Sequence, residues 1–218
     1  MPAKLVWDAD GARKYESGVE HVALFVSGTS SYNKGVAWNG VTSISEKPEG
    51  GDSTALYADN IKYIDIQGVE TFGFTISAYT YPDEWEECDG YKSAVNGVTV
   101  GQQSRKSFAL AYETREYNDT GAMTRKIHLV WGAKAEPSDR NYKTINSNPD
   151  AIEFSWTCKA TGVANVDGMT NAVSHMIIDC ASVDSTKLAT FENGLWGSSS
   201  ADATMPTPAE VISAFTGT

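Results

Sequence analysis

The stretch TFGFTISAY at residues 71–79 alternates strictly between two kinds of side chain. Phe72, Phe74, Ile76 and Ala78 form one set, and threonine, serine and glycine stand between them. A period of two is typical of a half-buried β-strand, because successive side chains point to opposite faces of a sheet. This stretch therefore predicts a strand with one face in the core.

The same alternation recurs at residues 126–135 and 151–159, where Trp131 and Trp156 fall in phase with apolar neighbours. We predict that both tryptophans are buried. Shorter or weaker strand patterns occur at residues 21–26, 35–45, 62–67, 108–116 and 174–181. About eight strands with turn-rich connections favour a mainly β fold, either a β-sandwich or a barrel. No internal repeat or boundary is evident, so we predict one domain over residues 1–218.

Helical signals are few, which favours one or two short flanking helices. Pro82 is followed by acidic residues, as in the first turn of a short helix, and residues 185–195 carry apolar side chains at helical spacing. The sequence TPAE at 207–210 has the spacing of a capping box with proline at the first helical position. It predicts a C-terminal helix at 208–215, preceded by an irregular connector at about 197–207.

The chain is acidic, with 28 Asp and Glu against 17 Lys and Arg and a net charge of −11. Proteins that clamp DNA phosphates need clustered basic residues, so conventional DNA binding is disfavoured. No apolar run follows Met1, and no stretch reaches the ~18 apolar residues of a membrane span. The sequence therefore predicts neither export by a signal peptide nor membrane insertion.

The cysteines and histidines form no chemical motif. Cys88, Cys158 and Cys180 are odd in number and far apart, which favours reduced thiols over a disulfide framework or a zinc site. The three histidines, His21, His128 and His175, are isolated in the sequence, so we expect them to be structural rather than metal ligands.

No nucleophile elbow, P-loop or dinucleotide motif occurs. The acidic run at residues 83–89 holds carboxylates that a glycosidase could use, but sequence neighbours rarely provide the required separation. We therefore expect no catalytic residues, no cofactor and no metal, and no enzymatic activity.

Six blocks in a fixed order carry a resemblance to a known family. They are GVAWNGVTSISEKPEGG at 35–51, YADNIKY at 57–63, AYTYPDEWEECDG at 78–90, GVTVGQQSRKSF at 97–108, KIHLVWGAKAEPSDRNYKTIN at 126–146 and PDAIEFSW at 149–156. Together with C-terminal LWG and PTPAEVI segments, they resemble the major tail tube protein of siphophages, which have long non-contractile tails.

The resemblance implies a subunit that assembles into hexameric rings stacked as a tube. The implied partners are other copies of the chain, the tape measure protein, and the tail tip and tail terminator proteins. Phage DNA would pass through the tube without specific binding, and a membrane is not involved. The implied location is the virion tail, after assembly in the bacterial host cytoplasm.

Two sets of residues are candidates for roles in such a tube. Residues 46–55 contain two glycines and one proline between two patterned strands, and irregular loops of this kind are usually functional or disordered. We predict a loop that reaches an adjacent subunit or the next ring; its candidate contact residues are Glu46, Lys47, Pro48, Glu49, Gly50, Gly51, Asp52 and Ser53. The phase of the strands also suggests acids that face the channel, where they would repel phosphates; the candidates are Asp65, Glu113, Glu116 and Glu153.

Two other functions are compatible with these patterns. A carbohydrate-binding β-sandwich, such as a receptor-binding tail component or a lectin, could use exposed tryptophans as a sugar platform. A glycoside hydrolase is the weakest alternative, because it depends on the acidic run alone. A monomer that binds glycans would favour the first of these, and turnover of a glycoside would favour the second.

Overall fold

A computed structural model describes residues 4–145, 147, 150–164 and 166–216. Of the predicted domain range, residues 1–3, 146, 148–149, 165 and 217–218 lie outside the described residues. The strands are β1 (Lys14–Val26), β2 (Val36–Ala37), β3 (Val41–Glu46), β4 (Glu49–Gly50), β5 (Ser53–Ala58), β6 (Ile61–Gln67), β7 (Glu70–Ala78), β8 (Lys92–Val95), β9 (Val98–Val100), β10 (Phe108–Asn118), β11 (Met123–Ala135), β12 (Phe154–Ala160) and β13 (His175–Asp179). The helices are α1 (Trp85–Cys88), α2 (Ser185–Leu195) and α3 (Pro208–Phe215).

One antiparallel sheet dominates the structure. Its strands follow the order β2-β1-β10-β11-β12-β7-β3, with β13 beside β11 and β4 beside β7. The two ends of this path, β2 and β3, are separated in the chain only by residues 38–40, so the edges of the sheet must approach each other. The Trp38 N–H donates to the Val22 carbonyl of β1 at 2.8 Å and so continues the pairing of β2 with β1. The mainly β prediction is confirmed, and the sheet curls into a barrel rather than splitting into a sandwich.

The interior of the barrel is filled by the alternating apolar residues of its strands. Phe74 and Ile76 of β7 lie there with Trp156 of β12, as the period of two predicts. Helix α1 adds Trp85, whose ring lies 4.6 Å from the ring of Trp38 and 5.3 Å from that of Trp156. Burial of each such side chain stabilises the fold by about 1.5–3 kcal/mol. The tryptophan cluster is therefore a major source of barrel stability.

Helices α2 and α3 cover the outer face of β10 and β11. Leu188, Phe191 and Val211 pack there against Leu129 and Trp131. Both faces of these two strands are therefore buried along much of their length. The prediction that Trp131 and Trp156 are core residues is confirmed, since each is 1% exposed.

The helix ends follow from local side chains. Asp184 caps α2 by accepting hydrogen bonds from the N–H groups of Thr186 and Lys187. Thr207 and Glu210 form the expected capping box at α3, with Pro208 in the first turn. Such caps satisfy backbone N–H groups that have no partner inside the helix.

Candidate functional site

The segment at residues 46–53 is not the open loop that the sequence predicts. Glu46 is the last residue of β3, and Glu49–Gly50 forms β4, which pairs with Thr71 and Glu70 of β7. Only residues 47–48 and 51–52 lie outside strands. Pro48 and Gly51 interrupt the strands here, but Glu49 and Gly50 between them pair with β7. The prediction of an irregular loop over these residues is therefore wrong, and any contact with another subunit by them stays a prediction.

Ser53 instead begins a β-hairpin formed by β5 and β6, which we call the 53–67 hairpin. Its two strands pair only with each other among the described residues. The base is tied by the Gly68 N–H, which donates to the Asp52 carbonyl at 2.9 Å. Gly50 is required nearby because its φ is +84° and a Cβ there would lie 2.6 Å from the Val69 carbonyl oxygen.

The 53–67 hairpin exposes an unusual amount of apolar surface. Tyr57 and Tyr63 are each 72% exposed, and Ile61 is 65% exposed. Leu56, Ile64 and Ile66 are exposed as well. An isolated two-stranded hairpin is marginally stable in water, and contiguous exposed apolar surface marks interaction sites. The hairpin is therefore the best candidate in the described chain for a surface that another protein covers.

The four predicted channel acids do not share one surface. Glu113 lies on the outer face of β10 under α2 and is 1% exposed. Its carboxylate is 2.6 Å from Arg125 Nη1 and 2.9 Å from His21 Nδ1. Arg125 in turn contacts Glu192 of α2 at 2.5 Å. The assignment of Glu113 to a channel wall is wrong, because a helix covers the face on which alternation places it.

Glu116 is also held by cations. Its side chain is 11% exposed and lies 2.7 Å from Lys14 Nζ and 3.2 Å from Lys126 Nζ. Hydrogen bonds from these two lysines lower the pKa of Glu116. A carboxylate neutralised by two ammonium groups presents little net charge to DNA, so Glu116 is a poor channel acid.

Asp65 and Glu153 are exposed, but on different elements. Asp65 lies on the 53–67 hairpin, 2.6 Å from Lys62 Nζ. Glu153 precedes β12 and accepts a hydrogen bond from the Thr42 hydroxyl. Their exposure is compatible with a channel role, which stays a prediction.

A polar cluster that no sequence motif indicates forms where the last residue of β3 meets side chains of β11 and β13. It consists of His128, which is 5% exposed, with His175 and Glu46. His128 Nδ1 is 3.3 Å from His175 Nε2, and the Tyr112 hydroxyl donates to Glu46 Oε1 at 2.6 Å. His128 and His175, although isolated in the sequence, lie together in the fold, and the expectation that the histidines are structural stays a prediction. Their positions in the chain are so far apart that no spacing rule could have joined them.

The environment of this cluster shifts its acid–base equilibria. His128 first, and then Tyr112, lower the pKa of Glu46 to about 2. Burial raises the pKa of Tyr112 and lowers that of His175. Glu46 is therefore an anion at neutral pH, next to imidazoles of which at least His175 tends to be neutral. Such a set of groups can accept hydrogen bonds or ligate a cation.

The other residues with possible chemistry are part of the core. Cys88 and Cys158 are buried free thiols, and Cys180 is a partly buried one. Burial raises the pKa of Cys88 to about 12, which makes its thiolate unavailable at neutral pH. Trp38 and Trp85 are buried like Trp131 and Trp156, so these four rings cannot form a sugar-binding platform.

No helix of the described part of the chain is both long enough and apolar enough to cross a membrane. No protein-family model matches the chain, and no curated protein matches it. Among solved structures, the chain is similar to one described as "Cryo-EM Structure of an Extracellular Contractile Injection System, PVC sheath-tube complex in extended state". The sequences are 12% identical, the match covers 73% of this chain and 88% of that chain, and the TM-score is 0.30. A TM-score this low establishes neither a shared fold nor a shared function.

Proposed function

We propose that this protein is a structural subunit of a phage tail tube and not an enzyme. Its copies assemble into hexameric rings that stack into a conduit for DNA. In this proposal the tape measure protein occupies the tube during assembly, and the tail tip and terminator proteins bind its ends. The subunit works in the virion tail after assembly in the host cytoplasm. The ordered sequence blocks that resemble siphophage tail tube proteins support this assignment.

The exposed apolar surface of the 53–67 hairpin is the main structural support for the proposal. Its tyrosines and isoleucines are exposed on a two-stranded unit that lacks a core of its own. Burying one such side chain against another subunit contributes about 1.5–3 kcal/mol. The free edges of β5 and β6 can also accept a further strand, since unpaired N–H and C=O groups favour strand addition. Assembly would therefore stabilise the hairpin while it holds neighbouring subunits together.

The charge of the subunit fits a conduit better than a DNA-binding protein. The net charge is −11, and many of the basic side chains form ion pairs with carboxylates, as Arg125, Lys14 and Lys126 do. A wall with few free cations offers little affinity to passing phosphates. Of the predicted channel acids, Asp65 and Glu153 are exposed; Asp65 pairs with Lys62, so Glu153 is the better candidate for such a wall.

The test is to concentrate the purified, tag-free protein and to image it by negative-stain electron microscopy, with and without purified tail tip complex. We expect rings or tubes. The variant Tyr57→Ser/Ile61→Ser/Tyr63→Ser removes apolar surface from the hairpin and leaves the barrel untouched. It should remain folded by circular dichroism but should fail to form rings or tubes.

Thr54→Ser is the matched control, because it lies on the same hairpin and removes little apolar surface. It should assemble like the wild type. Assembly of the triple variant at wild-type concentration would show that the hairpin is not the interface. A wild-type protein that stays monomeric by light scattering at every concentration, even with the tail tip complex, would contradict the tube proposal itself.

A further inference from the structure

Glu46 of β3, His128 of β11 and His175 of β13 bring three potential metal-ligand atoms close together. His128 Nδ1 and His175 Nε2 lie 3.3 Å apart. Glu46 Oε1 lies 3.5 Å from the first nitrogen and 3.8 Å from the second. The two imidazole rings are stacked, with an angle of 14° between their planes.

Two of these separations match those around a tetrahedral ion, and the third, at 3.8 Å, is slightly longer. Zinc binds imidazole nitrogen and carboxylate oxygen at about 2.0–2.2 Å, which places the ligand atoms roughly 3.3–3.5 Å from one another. At 3.5 and 3.8 Å, the contacts between the two imidazoles and the carboxylate are longer than good hydrogen bonds. We propose that Glu46, His128 and His175 form a binding site for a divalent transition metal ion of the zinc type.

The surrounding residues hold the ligands as a metal site requires. The Thr114 hydroxyl lies 3.0 Å from His128 Nε2, where it can accept a hydrogen bond from the Nε2–H group and leave the Nδ1 lone pair available to the cluster. The Tyr112 hydroxyl positions the carboxylate, and its ring stacks on that of His128 with centroids 4.6 Å apart. Phe72 stacks on His175 with centroids 4.4 Å apart. Outer residues of this kind orient metal-binding histidines in known sites.

An ion can reach the site and complete its coordination. Glu46 and His175 line an open groove of about 1060 Å³ between the hairpin base and residues 169–177. Water from this groove can occupy a fourth position, as in zinc sites with three protein ligands. In the described chain no Lys or Arg forms an ion pair with Glu46, so its charge is available to a cation.

A second group of potential ligands differs from this one, because its carboxylates are paired with arginines. Glu20, His21 and Glu113 also lie close together. There, however, Arg115 binds Glu20 at 2.5 Å and Arg125 binds Glu113 at 2.6 Å. Both carboxylates are already neutralised, so this group lacks the free charge that a cation site needs.

The metal site does not depend on the tube proposal, and its test uses the tag-free full chain. The protein is treated with a chelator, dialysed and titrated with Zn²⁺ in a calorimeter, and Co²⁺ absorption reports the coordination geometry. We expect one equivalent of Zn²⁺ to bind and to raise the Tm, because a ligand of the folded state stabilises it. Glu46→Gln and His175→Gln should weaken binding by at least about tenfold, and Thr114→Val by about 10–100-fold.

His21→Gln is the matched control, because it removes a histidine from the neutralised group and should leave Zn²⁺ binding unchanged. Zinc X-ray absorption on the wild-type complex should show two imidazole ligands, a result that does not depend on whether any variant folds. Binding at less than one equivalent would overturn the proposal, as would a spectrum without imidazole. Undiminished binding by folded Glu46→Gln and His175→Gln proteins would do so as well.

Discussion

Replacement of Glu113 by glutamine tests whether Glu113 is a buried ion-pair residue or an exposed residue of a channel wall. Glu113 is 1% exposed and contacts Arg125 and His21 under α2. Removing one member of a buried ion pair typically costs about 3–5 kcal/mol, because the other charge is left without compensation. Here the Arg125 side chain is 34% exposed and keeps Glu192 at 2.5 Å, which reduces the loss. We expect Glu113→Gln to destabilise the fold by about 2–3 kcal/mol.

The assay is thermal and guanidinium unfolding of Glu113→Gln beside Glu153→Gln. For a chain of this size 1 kcal/mol corresponds to about 2–4 °C, so Glu113→Gln should lower the Tm by about 4–12 °C. Glu153 is exposed, and its variant should stay within about 0.5 kcal/mol of the wild type. If the two variants unfold at the same midpoint, Glu113 does not anchor α2 to the sheet, and our assignment of its role is refuted.

Two further predictions concern the backbone at the hairpin base and an ion pair on the barrel. Gly50→Ala should lose about 1–3 kcal/mol in denaturant unfolding, because it combines a φ of +84° with a Cβ 2.6 Å from the Val69 carbonyl. Gly97→Ala has a similar φ of +79° with nothing within 4 Å, and an equal loss there would exclude the steric contribution. The hydrogen bond from Arg115 lowers the pKa of Glu20, so its stabilisation is present above the unfolded pKa of about 4.3 and is lost as the pH falls through the folded pKa. Arg115→Gln should therefore be less stable than the wild type at pH ~7, with a difference that narrows toward pH ~2, and a difference independent of pH would contradict this pairing.

The period of two determined most of what could be predicted about the strands. It identified the faces of β7, β11 and β12 and the burial of Trp131 and Trp156, because side-chain alternation is a local property of an extended backbone. The capping-box spacing likewise identified α3, since its partners lie within one turn. At residues 46–53 the same local rules failed. The pairing of Glu49–Gly50 with β7 depends on a strand distant in the chain, not on the glycines and proline themselves.

Tertiary structure alone decided the rest. Alternation along β10 places Glu113 and Tyr112 on opposite faces of the sheet. It could not show that α2 covers the face of Glu113, and this helix buries an acid that was expected to line a channel. It also could not bring His128 and His175 together, because they meet only through the pairing of β11 with β13. The sequence by itself determined a mainly β chain with its principal core residues, because those depend on local periodicity. The curling of the sheet, the exposed hairpin and the Glu46 cluster depend on contacts between segments far apart in the chain, which local patterns do not encode.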